Sequence, residues 1–187
     1  ELSGRTVGIL GVGNIGRKVA AMATHGFGCK IIAHTRTPAN LPRGIESVSL
    51  DKLLMQSDTL VLTCPLTDQT QGIINRAAIA KMKPGAIIIN VSRGAVTDEA
   101  ALADALASGH LGGAAIDVFS MQPLPADHPF YALSNVILTP HMAGITEESM
   151  LRMGQGVVAE TTRILAGEKP ENFCNPEVWD RFRARFD

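Results

Sequence analysis

Thr6-Val7-Gly8-Ile9-Leu10-Gly11-Val12-Gly13-Asn14-Ile15-Gly16 lies near the start of the chain. Thr6 to Leu10 is a short β-rich apolar run that stops at Gly11, and from Ile15 to about His25 apolar residues recur at helical spacing. A second apolar run, Cys29 to His34, follows. Strand, glycine turn, helix and strand within about 30 residues make one βαβ unit, whose crossover requires a parallel sheet.

The pattern repeats downstream with other lengths. Ser49 caps a short helix through Met55, Thr59 to Leu62 reads as a buried strand, and Asn75 caps another helix. Pro84-Gly85 breaks the chain before Ala86 to Val91, an apolar run suited to a strand covered on both faces. Thr97 and Asp98 begin a helix that ends at Gly109, with Ala101, Leu102, Ala105 and Leu106 on its inner face. Gly113 to Val118 and Val136 to Thr139 are two further strands. Between them Gln122 to Pro129, punctuated by Pro123, Pro125 and Pro129, is loop, because proline cannot donate to a ladder. A long helix from about Thr146 to Leu165 closes the fold.

The expected architecture is therefore α/β: a Rossmann-type, doubly wound parallel sheet with helices on both faces, three layers deep, over residues 1–168. Residues 169–187 form a polar, proline-punctuated tail whose Trp179, Phe182 and Phe186 lie at helical spacing. That tail either packs on a part lying outside this chain or lies as a short amphipathic helix on the same domain.

At 187 residues and 45% apolar content the chain supports one domain or slightly more. Its net charge of -1, with both signs interspersed, provides no basic face for nucleic acid. Cys29, Cys64 and Cys174 are odd in number and lack a C-x-x-C spacing, so neither a disulfide framework nor a metal site is indicated, and a reducing cytoplasm fits. No apolar stretch approaches the roughly 20 residues that span a bilayer, and no signal peptide is visible. The start at Glu1 rather than Met, directly before a strand, reads as a fragment that has lost a preceding segment.

Gly11-Val12-Gly13-Asn14-Ile15-Gly16 matches G-x-G-x-x-G. In such a turn the first glycine permits the bend, the second lets the backbone approach a pyrophosphate, and the third allows helix and strand to pack closely. The following helix N-terminus adds unpaired N–H groups and partial positive charge. At the end of the second strand a domain that prefers NAD usually places an acid on the ribose hydroxyls. Here the chain reads His34-Thr35-Arg36-Thr37. Hydroxyls beside a guanidinium suit a 2′-phosphate, so NADP is the preferred cofactor; if Arg36 instead stacks on adenine, NAD is possible.

Four later segments narrow the reading: Pro65-Leu66-Thr67, Asn90-Val91-Ser92-Arg93-Gly94, Gly113-Ala114-Ala115-Ile116-Asp117-Val118-Phe119 and Thr139-Pro140-His141-Met142-Ala143-Gly144. Together with the glycine turn they resemble the D-isomer-specific 2-hydroxyacid dehydrogenases, a group that includes phosphoglycerate, glycerate and D-lactate dehydrogenases and the glyoxylate/hydroxypyruvate reductases. The likeness runs from Glu1 to about Pro176 and covers the nucleotide-binding domain. The family's substrate-binding domain, drawn largely from chain before this region, is the missing partner that the resemblance implies.

The resemblance further implies a mechanism of reversible reduction of a small 2-keto acid to a 2-hydroxy acid. An Arg at the position of Arg93 holds the substrate carboxylate, which suits an always-charged bidentate donor. A His at the position of His141 gives its proton to the carbonyl oxygen and takes it back in oxidation, a task for a group that titrates near neutral pH. Asp117 matches a residue that hydrogen-bonds the nicotinamide amide, Ser92 and Gly144 line the same mouth, and Cys64 and Pro65 lie where the family's chain passes the cofactor. Cys64 itself reads as a buried structural thiol. Family members commonly form homodimers through this domain.

Gln122 is the departure. The family usually carries a Glu there, before the proline at Pro123, and its carboxylate stabilises the imidazolium. An amide can orient the ring but supplies no charge, so carbonyl reduction should fade at lower pH than with Glu. Formate dehydrogenases, distant relatives, also place Gln beside their His, which keeps a formate-dehydrogenase-like activity as one alternative. A non-catalytic nucleotide-sensing module is another. The isolated domain is expected to bind dinucleotide and turn over poorly, since a second domain would supply the cleft wall.

Overall fold

A computed structural model describes residues 1–186. The chain divides into two compact units, Glu1–Ala143 and Gly144–Asp187.

In the first unit β1 (Thr6–Leu10), β2 (Lys30–His34), β3 (Glu46–Ser47), β4 (Thr59–Leu62), β5 (Ile87–Asn90), β6 (Gly113–Ile116) and β7 (Val136–Leu138) form one sheet in the order β3-β2-β1-β4-β5-β6-β7. All six pairings are parallel. The order reverses at β1, which pairs with β2 on one side and β4 on the other. Such a switch point opens a crevice at the carboxyl ends of the strands.

Alternation along the strands sorts the apolar side chains into two layers. Leu10, Ile32, Leu60, Leu62 and Ile88 face α2 (Leu50–Gln56), α3 (Arg76–Ala80) and α4 (Glu99–Ala107), meeting Leu53, Leu54, Ile79 and Leu102 in the larger core. Val7, Ile9, Ile31, Ala33 and Val61 face the other way, toward Ala20 of α1 (Asn14–Phe27). Each large side chain fully buried here contributes about 1.5–3 kcal/mol, which fixes the central strand ends as a rigid base for the loops beyond them.

The caps follow the sequence closely. Ser49 Oγ accepts from Lys52 N, Asn75 Oδ1 from Ala78 N and Asp98 Oδ1 from Ala101 N. The expected joint start at Thr97 and Asp98 is corrected: Asp98 alone caps α4, while Thr97 is buried and bridges Ile74 in extended conformation. Several strands are shorter by a residue or two than the apolar runs that marked them.

The expectation that the run Ala86 to Val91 is covered on both faces also needs correction. Ile88 is fully buried, but Ile87 on the opposite face is 43% exposed. On that face the buried cluster reaches from α1 over β1, β2 and β4 and includes Ile89 of β5 only as a partly buried neighbour.

In the second unit, α5 (Glu147–Leu165) starts with a reciprocal capping box between Thr146 and Ser149. None of its residues is buried. The tail forms α6 (Trp179–Arg183), and its aromatic rings meet in series: Phe173 edge-on to Trp179, Trp179 tilted against Phe182, Phe182 tilted against Phe186. Phe186 closes over Gly167, where an added Cβ would stand 3.1 Å from its ring. Among the described residues no helix is long and apolar enough to cross a membrane, and no group of three or more His, Cys, Asp or Glu could hold a metal ion.

Candidate cofactor and active site

The glycine turn leaves β1 and enters α1 in one tight bend. Gly11 has φ 89°, and a Cβ there would stand 2.6 Å from the Cys64 backbone, so only glycine fits. A Cβ on Gly16 would lie 2.5 Å from the Gly11 carbonyl oxygen, which is how closely the helix packs on the turn. Gly13 is different, because a Cβ there meets nothing within 4 Å. It is also the N-cap of α1 and offers no side chain to the free N–H groups of the first turn, while Asn14 and Ile15 are exposed.

A cleft of 430 Å³ opens beside this turn. It is lined by Gly11 and Gly13, by Thr35, Arg36 and Thr37 after β2, and by Cys64 and Pro65 after β4. Sequence reasoning had named all of these. It had not named Thr63, Gln69, Thr70 and Ile73, which also line the cleft. Thr63 donates from Oγ1 to the Gly11 carbonyl at 2.5 Å, and Thr70 donates to the Pro65 carbonyl at 2.7 Å, so two hydroxyls brace the walls. The Cys64 thiol is pushed up from its usual range by burial, as expected of a structural rather than a reactive thiol.

Three neighbouring strand ends carry the second group of residues. Asn90, the last residue of β5, is only 1% exposed. Its Oδ1 accepts from both the amide and the hydroxyl of Ser92, and its Nδ2 donates to the Arg93 carbonyl at 3.1 Å. Asn90 thus shapes the bend that presents Arg93, a role visible in sequence only as a polar residue ending an apolar run. The Arg93 guanidinium is tethered by one arm, Nη1 donating to the Ser92 carbonyl at 2.6 Å. Gly94 then presses on the loop after β6: a Cβ there would fall 2.0 Å from the Phe119 carbonyl carbon.

Backbone bonds stitch the three loops together, Asp117 N to Asn90 O, Thr139 N to Ile116 O and His141 N to Asp117 O. His141 has φ 58°, and among the described residues it is the one non-glycine with positive φ. For an L-residue that conformation costs roughly 1–2 kcal/mol and persists only where its surroundings enforce it. The His141 ring meets Gln122, Nδ1 to Oε1 at 3.3 Å. The other end of the Gln122 amide donates to the Phe119 carbonyl at 3.4 Å, which turns Oε1 toward the imidazole. Since an amide oxygen only accepts, Nδ1 carries the proton and Nε2 is left with its lone pair in the neutral ring.

Asp117 is 4% exposed. Burial pushes its carboxyl upward, but hydrogen bonds from the Thr139 hydroxyl and the Ala143 and Met142 amides, with the His141 charge nearby, outweigh this and hold it below the usual carboxylate range. His141 and Gln122 also border a second cleft, of 410 Å³, walled by Phe119, Leu124, Tyr131 and Leu138. Gly144 lies in the second unit, where its carbonyl accepts from Ser149 Oγ at 2.8 Å.

The family described as D-isomer specific 2-hydroxyacid dehydrogenase, NAD binding domain, matches residues 1–143. A glyoxylate/hydroxypyruvate reductase B of Pectobacterium carotovorum subsp. carotovorum (strain PC1) is 43% identical over 177 residues, covering 93% of this chain and 55% of the relative. The crystal structure of the TT0316 protein from Thermus thermophilus superposes with a TM-score of 0.86 at 42% identity, over 91% of this chain and 54% of that one. A D-isomer specific 2-hydroxyacid dehydrogenase from Xanthobacter autotrophicus Py2, solved in complex with NADPH and MES, gives a TM-score of 0.78 at 37% identity over 92% of this chain and 72% of that one. The chain spans about half the length of the curated relatives it matches. With its glycine turn and its matched residues 1–143, this chain belongs to the D-isomer specific 2-hydroxyacid dehydrogenase family and carries that family's NAD-binding, Rossmann-type domain.

Proposed function

We propose that residues 1–168, with the tail 169–187, are the dinucleotide-binding part of an NADP-preferring oxidoreductase that interconverts a small 2-hydroxy acid and its 2-keto acid. The observation that carries this reading is the convergence of the glycine turn after β1, Arg93 after β5 and the Gln122–His141 pair after β6 and β7 on one edge of a parallel sheet.

The residues present fit a dinucleotide. A 430 Å³ cleft lies in the size range of cofactor sites, and the open Gly13 and uncapped α1 N-terminus suit a pyrophosphate. Gly11, Gly13 and the α1 N-terminus at Asn14 and Ile15 would hold the phosphates, with Gly16 keeping α1 close to the turn and Thr35, Arg36 and Thr37 at the ribose 2′-phosphate, where no acid at the end of β2 would repel it. Cys64, Pro65, Ser92 and Asp117 would complete the nicotinamide side. The NADPH held by the Xanthobacter relative supports the same preference. When bound, the dinucleotide donates or accepts the hydride.

The chain's own groups do the rest. Arg93 keeps guanidinium arms for the substrate carboxylate, bidentate and always charged. His141 Nε2 delivers a proton to the carbonyl oxygen in reduction and recovers it in oxidation, while Gln122 fixes which ring nitrogen faces the reaction. Electrostatic charge on the imidazolium is left to the surroundings, since Gln122 is neutral. Free Cys29 and Cys64 suit a reducing cytoplasm, and family membership favours a homodimer, which light scattering tests.

Following NADPH oxidation by the intact protein with glyoxylate, hydroxypyruvate and pyruvate, and NAD(P) reduction with formate, tests the assignment. Turnover of a keto acid that falls about 10²–10⁴-fold in His141→Ala supports it. Turnover of formate alone would instead favour the formate-type reading of Gln122, and dinucleotide binding without any turnover would favour a nucleotide sensor.

A further inference from the structure

Asp117 stands one residue beyond β6 and is bonded to the His141 segment at four points. Its Oδ1 accepts from Thr139 Oγ1 at 2.6 Å and from Met142 N at 2.7 Å. Its Oδ2 accepts from Ala143 N at 3.0 Å, and its backbone carbonyl takes His141 N at 2.9 Å. These bonds fall before, at and after the single non-glycine residue with positive φ among those described. Histidine enters the left-handed region more readily than most non-glycine residues, and the His141 amide also meets the Thr139 carbonyl at 3.0 Å, so the segment tolerates the bend without fixing it alone. From outside the segment, Asp117 is the group placed to hold it, with bonds on both sides of His141. A carboxylate offers about four acceptor sites, and three of these are spent on this loop.

We propose that Asp117 is the positioning residue of His141: by capturing the Thr139 hydroxyl and the Met142 and Ala143 amides, its carboxylate holds the bend that sets Nδ1 against Gln122 and leaves Nε2 for the reacting carbonyl. The geometric part stands on the contacts above, while its kinetic consequence rests on the reading of His141 as proton donor. A residue whose sole task was to hold the nicotinamide amide would matter only once dinucleotide is bound. A positioning residue matters before that.

Asp117→Asn keeps the shape but puts an NH₂ against one of the donors it must satisfy, and Thr139→Val removes a single bond. In the intact, dinucleotide-free protein, ¹⁵N NMR of the His141 ring reads its tautomer directly. The wild type is expected to show the Nδ1–H form, and both variants a mixture with the Nε2–H form. With NADPH and keto acid, kcat is expected to fall about 100-fold in Asp117→Asn and about tenfold in Thr139→Val, and in Thr139→Val KM for the keto acid and NADPH affinity change less than about threefold. A His141 spectrum unchanged in either folded variant, or a loss confined to NADPH affinity, would overturn the proposal. If the wild type turned over no keto acid, the reading of His141 would fail, whereas the ring spectra would still decide the role of Asp117.

Discussion

Gln122 and His141 meet at 3.3 Å, amide oxygen to Nδ1, at the place where a carboxylate would have added charge to the same contact. The amide orients the ring through its second bond, to the Phe119 carbonyl, but does not favour the protonated ring over the neutral one. Reduction needs the protonated ring, so the rate should fall once the ring loses its proton. Gln122→Glu places a negative charge beside the imidazolium, and the alkaline limb of the reduction profile is expected to move to higher pH. A pH–rate series on wild type and variant checks this; superimposable profiles would show that Gln122 does not govern protonation.

Arg36 sits in the cleft wall between Thr35 and Thr37. Removing a charge-assisted, bidentate donor to a phosphate costs about 1.5–3 kcal/mol, or roughly 10- to 150-fold in affinity. Arg36→Ala should therefore weaken NADPH by that factor and leave NADH within about twofold. Equal losses for both would mean that Arg36 contacts the adenine rather than the 2′ position.

How the site is built was only partly legible. The glycine turn was readable because a local pattern carries it, whereas Arg93, Gln122 and His141 were singled out only by the resemblance of their segments to a known family. The two-residue β3 was not, since Glu46 and Ser47 become strand only by pairing with Ile32 and Ala33. Nor was the exposure of Ile87, which depends on how far the α1 layer extends across the sheet. Asn90, Thr63 and Thr139 escaped because a single polar side chain beside an apolar run has many possible partners, and for Thr63 and Thr139 the partner is chain brought in from more than 20 residues away. The positive φ of His141 leaves no mark in composition at all.

Gly94 offers a test of the contact between the loop after β5 and the loop after β6. A Cβ 2.0 Å from the Phe119 carbonyl carbon meets backbone rather than a flexible side chain, so one loop must move. Gly94→Ala is expected to destabilise by about 1–3 kcal/mol, read as a lower Tm, and to cut turnover further than Tm alone explains because Gln122 follows three residues after Phe119. An unchanged Tm would mean that the loops separate freely.

Asp58 ties the amino end of β4 to its neighbours, accepting from Thr6 N at 2.8 Å and pairing with Lys83 at 2.8 Å. Partial burial raises its carboxyl, yet the bonds from Lys83 and Thr6 outweigh this and hold it below its ordinary value of 3.8. A depressed folded-state value contributes stability above that ordinary value, and the contribution is lost as pH falls through the folded one. Asp58→Asn should lower Tm by about 2–4 °C at neutral pH and by little once the carboxyl is protonated in both the folded and the unfolded chain. A pH-independent difference would place the cause elsewhere.

We propose that the Gly11–Gly16 turn seats a pyrophosphate and thereby brings the nicotinamide beside Arg93 and His141. Calorimetric titration of the intact protein with NADPH and NADH tests it most directly, using Gly13→Glu to fill the open approach with a side chain of the wrong charge. Binding of NADPH by the wild type, tighter than NADH and abolished in Gly13→Glu, is the expected result. Binding of neither dinucleotide, or binding indifferent to Gly13→Glu, would contradict the account.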